Sequence, residues 1–79
     1  MTDAEILEDI RDVARIHLKV ERDIGMDTLL VETLGLDSLR MITLVAELEN
    51  RFHVCFESGD EIGLTSIGQL VAVLRRRLP

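Results

Sequence analysis

Aromatic residues are almost missing from this chain of 79 residues: tryptophan and tyrosine are absent, and Phe52 and Phe56 are the only phenylalanines. Any core is therefore aliphatic, built from Leu, Ile, Val and some Met. A core of this size leaves a net stability on the order of 3–5 kcal/mol. The single cysteine, Cys55, excludes a disulfide framework. It stands in the apolar run Val54-Cys55-Phe56, where a small half-buried residue is expected, and no histidine pattern accompanies it to make a nucleophile. No apolar run approaches the roughly 20 residues of a membrane span. The acidic start Met1-Thr2-Asp3 is neither a signal nor a transit peptide, and no lipidation signal stands at either end. A cytoplasmic location with no membrane partner is expected. Positive charge is scarce: 9 Lys+Arg against 15 Asp+Glu give a net charge of −6. That balance argues against nucleic acid and suits docking to basic protein surfaces.

Several chemical motifs are lacking as well. The acids Glu21, Asp23, Asp27 and Glu32 do not have the spacing of a calcium loop. Gly35 stands alone, without the Gly-x-x-x-x-Gly-Lys of a phosphate loop. The two histidines, His17 and His53, lack metal-ligand spacing, so no metal site is expected. Ser38 is flanked by Asp37 and Leu39 rather than by the Gly-x-Ser-x-Gly elbow of a serine hydrolase, and nothing places a histidine beside it. No catalytic residue is assigned.

Helical periodicity is present. Thr2-Asp3-Ala4-Glu5 fits a capping box, followed by Ile6, Leu7, Ile10, Val13, Ala14 and His17 on one stripe. His17 is expected to pack there, near a helix C-terminus. From Val20 to Asp37 the pattern breaks into a long connection, pinned by Ile24, Met26, Leu29, Leu30, Val31 and Leu34, with a short helical turn near 29–33. From Ser38 to Phe52 no Gly or Pro interrupts a second helix. Met41, Ile42, Leu44, Val45, Leu48 and Phe52 cover so much of its circumference that it is expected to be the central helix. Asp37 or Ser38 caps it, and its N-terminus favours negative charge, as a phosphodiester on Ser38 would carry. Residues 54–56 read as an extended connection. Residues 60–63 are expected to start a short helix. Ser66-Ile67-Gly68-Gln69 fits a second capping box, with Ile67, Leu70, Val71, Leu74 and Leu78 at helical spacing. Arg75-Arg76-Arg77 opposes the negative end of this last helix. The expected fold is all-α: a small bundle of three longer helices plus one short helix, with a long loop between the first and second. Residues 1–79 are taken as a single domain.

Leu34-Gly35-Leu36-Asp37-Ser38-Leu39 resembles the attachment motif of acyl carrier proteins. The likeness extends to Leu48-Glu49-Asn50-Arg51-Phe52, to Val54 and Phe56, and to Leu64-Thr65-Ser66-Ile67-Gly68-Gln69-Leu70, so it covers nearly the whole chain. It implies a carrier, not an enzyme. By that resemblance Ser38 receives 4'-phosphopantetheine covalently from coenzyme A, through a separate Mg²⁺-dependent phosphopantetheinyl transferase that recognises Asp37. The thiol of the arm then holds acyl groups as thioesters. Leu39, Arg40, Thr43, Ala46, Glu47 and Asn50 would face partners: the transferase, and acyl-loading, synthase or tailoring enzymes. A monomer is expected.

Two departures bear on the pathway. Arg40, Thr43 and Asn50 stand where the family commonly has acids, though Glu47 and Glu49 remain. Phe56-Glu57-Ser58-Gly59 replaces the usual Ile-Pro-Asp-Glu turn. Primary fatty-acid synthesis and a polyketide or other specialised pathway therefore both stay open. A peptidyl or aryl carrier is the alternative, against which Leu36 fills the position of that motif's second glycine. A helical adaptor that never carries a prosthetic group is the reading from another class.

Overall fold

The computed structural model describes residues 1–57 and 63–78. They form an all-α bundle of three helices, α1 (Asp3–Leu18), α2 (Ser38–Phe52) and α3 (Ile67–Arg77). Local hydrogen bonds set two of the starts. Thr2 Oγ1 accepts the Glu5 N–H at 3.2 Å, and Glu5 Oε1 accepts the Thr2 N–H at 2.8 Å, so two N-terminal donors of α1 are satisfied reciprocally. The Thr2 backbone N–H, aided by its hydroxyl, holds the Glu5 carboxyl below its ordinary pKa. At α3, Ser66 Oγ accepts the Gln69 N–H at 3.3 Å while Gln69 Oε1 accepts from the Thr65 N–H at 2.6 Å. Lys19 and His53 close α1 and α2 in the left-handed region, at φ 59° and 57°. They do so without glycine, at a steric cost of about 1–2 kcal/mol each.

The core is aliphatic, as the composition requires. Ile6 and Ile10 of α1, Leu44 and Leu48 of α2, and Ile67, Leu70 and Leu74 of α3 are buried together. Each such side chain contributes roughly 1.5–3 kcal/mol by leaving water. α1 makes close backbone approaches to both α2 and α3, and no such approach joins α2 to α3. The shared neighbour is therefore α1, not α2 as the apolar breadth of α2 suggests. The surplus apolar surface of α2 goes to solvent: Ile42 is 61 % exposed and Leu39 72 %.

The long connection between α1 and α2 is anchored at both ends and in the middle. Ile24, Leu30 and Leu36 are buried, and Arg11 Nε donates to the Ile24 carbonyl at 2.7 Å. Thr33 and Leu34 N–H donate to the Leu29 carbonyl, which gives the expected single helical turn. Non-local backbone bonds then tie the loop to the head of α3. Leu30 N–H donates to Thr65 O and Ile67 N–H to Thr28 O, both at 2.9 Å, around an isolated antiparallel bridge between Leu29 and Ser66.

Three further expectations are corrected. The bundle has three helices among the described residues, not three plus a short one. Asp60, Glu61 and Ile62 lie outside the described residues, and Gly63 has φ 79°, a left-handed value foreign to a right-handed helix. His17 is exposed rather than packed, because Leu18 takes the buried position at the end of α1. Cys55 is exposed rather than half-buried. Among the described residues no helix is long and apolar enough to cross a membrane.

Candidate serine site at the head of helix α2

Ser38 is the first residue of α2 and is exposed. The segment before it is built to present it. Leu36 is buried at 2 % exposure and its N–H donates to the Leu30 carbonyl at 3.2 Å. Gly35 takes φ 67°, closed by its N–H bond to Val31 O at 2.9 Å. That left-handed conformation suits glycine and turns the chain from the loop towards α2. Asp37 is the N-cap: its Oδ1 accepts the Arg40 N–H at 2.8 Å, and its carbonyl accepts the Met41 N–H at 2.9 Å. The sequence left the cap between Asp37 and Ser38; the geometry assigns it to Asp37. The Ser38 hydroxyl has no hydrogen-bond partner among the described residues.

Electrostatics at this point favour an anion. The N–H groups of Ser38 and Leu39 precede the first intrahelical bonds, and the Asp37 cap is followed by no further acidic residue in the first turn of α2. An open groove of about 590 Å³ begins at Asp37 and Ser38 and runs between Val31, Met41, Ile42 and Leu64. An exposed hydroxyl at a helix N-terminus, heading an apolar groove, fits a phosphodiester with a flexible arm.

Nucleophilic catalysis finds no support here. His53 ends α2, about 22 Å from Ser38 along the helix axis. His17 Nε2 lies 3.3 Å from Glu47 Oε2, more than two turns along α2 from the serine. Among the described residues no group of three or more His, Cys, Asp or Glu side chains could hold a metal ion.

The residues expected to face partners fall along the outer side of α2. Leu39, Arg40, Ala46 and Asn50 are exposed. Thr43 is half-buried, with its hydroxyl donating to the Leu39 carbonyl at 3.1 Å. Glu47, also half-buried, is engaged by His17. The sequence reading missed Ile42, placed in the core yet exposed between Leu39 and Ala46. Its spacing of three from Leu39 was the available signal. It also missed Val31, 56 % exposed at the groove, for which no local pattern speaks.

Comparison with known proteins agrees with this arrangement. The family model for the phosphopantetheine attachment site matches residues 4–74. The acyl carrier protein of Campylobacter hominis is 34 % identical over 71 residues, covering 89 % of this chain and 90 % of that protein. That of Exiguobacterium sibiricum is 29 % identical over 79 residues, covering 99 % and 100 %. A solved structure from Mycobacterium tuberculosis, provisionally described as an acyl carrier protein, superposes with a TM-score of 0.84 at 27 % identity, covering 90 % of this chain and 96 % of its own. The chain belongs to the acyl carrier protein family, whose members are carriers rather than catalysts and hold acyl groups as thioesters on phosphopantetheine.

Proposed function

We propose that Ser38 is the attachment residue of this carrier, and that residues 1–79 act as one carrier unit serving fatty-acid, polyketide or related specialised biosynthesis. The observation that carries the reading is the exposed, unpartnered Ser38 hydroxyl at the first residue of α2, beside the Asp37 cap. The arm, once attached, supplies a thiol that forms thioesters. The protein's own residues do the rest. The Ser38 oxygen bonds to the phosphorus that carries the pantetheine arm, the pyrophosphate P–O bond of coenzyme A breaks and 3',5'-adenosine bisphosphate leaves, and the serine proton passes to the transferase or to solvent. The N-terminus of α2 stabilises the resulting diester charge. Asp37 has one carboxylate oxygen committed to the Arg40 N–H, which fixes its side chain as a recognition group for the transferase. Leu36, Met41, Ile42 and Leu64 offer the arm and its cargo an apolar wall.

Coenzyme A, Mg²⁺ and a broad-specificity transferase should add the mass of one phosphopantetheine to the protein. Ser38→Ala should abolish the addition. A Ser38→Ala protein that still gains the arm would remove the assignment, and a wild type that never gains it would favour the adaptor reading.

A further inference from the structure

Eight of the nine Lys and Arg residues of this acidic chain fall into two sets. Arg11, Arg15, Arg51, Arg75 and Arg77 each reach a carboxylate within 3.3 Å. Lys19 and Arg40 have no side-chain partner among the described residues, and Arg22 donates only to the Thr33 carbonyl, at 2.9 Å. These three do not lie apart. They line one depression of about 370 Å³ formed by the end of α1, the loop and the start of α2. Glu21 is the one acid on its wall. All three cations are exposed.

We infer that Lys19, Arg22 and Arg40 form a docking element for acidic side chains on the enzymes that act at Ser38. Arg40 is two residues from Ser38, about 3 Å further along the axis of α2 and on another side of the same turn, so its charge acts on an enzyme seated at the head of the helix. Three uncompensated cations facing such an enzyme repel a basic surface and attract an acidic one. A nucleic acid or an anionic membrane fits less well, because the net charge of −6 repels both over a longer range. The neighbouring depression, which Arg22 also borders, is less positive: Glu8 and Asp12 pair with its Arg11 and Arg15, and Glu21 and Asp23 stand on its wall. The inference rests on Ser38 being the attachment residue and deepens it by specifying the charge of the partner surface.

The test uses the transfer reaction at Ser38. The probes are a transferase with a basic carrier-facing surface and a variant of it in which those basic residues are replaced by glutamate. The carriers are wild type and Lys19→Glu with Arg40→Glu, which leaves the Arg22–Thr33 bond in place and whose helicity is checked by circular dichroism. With the acidic transferase, the double variant should be modified at least about tenfold more slowly than wild type at low salt, the difference shrinking as salt rises. With the basic transferase it should be modified faster. Rates that do not change, or that shift in the same direction with both transferases, would overturn the inference while leaving the attachment site standing. Failure of both transferases to modify the wild type would overturn the attachment site, and the inference with it.

Discussion

The Asp37 carboxylate accepts the backbone N–H of Arg40 at 2.8 Å, so the residue before the serine caps α2 and the serine itself is left free. The helix cap and the proposed attachment residue are thereby adjacent but distinct. Asp37→Ala should cost about 0.5–2 kcal/mol through loss of the cap. Ser38→Ala, at an exposed position with no bond to lose, should stay within about 0.5 kcal/mol of wild type. Urea denaturation of both variants checks this. Equal losses would mean that Ser38 contributes to the start of the helix.

Two apolar residues that look alike in the sequence should behave differently. Leu70 is fully buried, and Leu70→Ala should cost roughly 2–5 kcal/mol by opening a cavity. Ile42 is 61 % exposed, and Ile42→Ala should change stability by no more than about 0.5 kcal/mol. A large loss at Ile42, measured by the same denaturation, would place it in the core after all.

The depressed pKa of Glu5 predicts a local acid sensitivity. A carboxyl whose folded pKa lies below its unfolded one stabilises the fold at higher pH, and that contribution disappears as pH falls through the folded value. The first turn of α1 should therefore fray below the ordinary glutamate range. The protection of the Glu5 N–H, which Thr2 Oγ1 accepts, should fall on acidification in wild type once exchange is corrected for its intrinsic pH dependence. Glu5→Gln keeps a carbonyl oxygen for the Thr2 N–H but loses the titration, so its exchange should show no such acid-induced step. A step of equal size in both proteins would assign the titration elsewhere.

Along the outer side of α2, Arg40 adds a positive charge, Thr43 and Asn50 are neutral, and Glu47 is half-buried with His17 Nε2 at 3.3 Å. Fatty-acid synthase enzymes with basic carrier-binding surfaces should serve this protein poorly. Arg40→Asp combined with Thr43→Glu should improve elongation on the phosphopantetheinylated form, chiefly through faster association at low salt. The measurement is the elongation rate of both proteins across ionic strength. A wild type already as active as the enzymes' own carrier, or a gain indifferent to salt, would contradict the prediction.

Much of this architecture is legible in the sequence because it is local. The Thr2/Glu5 and Ser66/Gln69 boxes are read from residues three apart, and both form. The start of α2 next to Asp37 and Ser38 is equally local. What escaped was decided by tertiary docking. The apolar arc of α2 does not say that α1 rather than α2 would be the shared neighbour, and so Ile42 was grouped with Leu44 and Leu48 rather than with the exposed Leu39 three residues before it. The Leu29–Ser66 bridge joins residues far apart in the chain, with no pattern to announce it. Helix ends at Lys19 and His53 lack the glycine that usually marks a left-handed close. The cation group escaped for the same reason: Lys19, Arg22 and Arg40 come from three segments, and only folding brings them to one depression.

The central claim is that acyl groups ride on an arm attached to Ser38, and fragment-resolved mass spectrometry of the acyl-loaded protein tests it most directly. The free thiol of Cys55 is exposed and provides a built-in competitor for acylation. Peptide mapping should locate both arm and acyl group on Ser38, with hydroxylamine releasing the acyl group and leaving the arm. An acyl group mapped to Cys55, or a Ser38 peptide of unmodified mass in an acylated protein, would contradict the account.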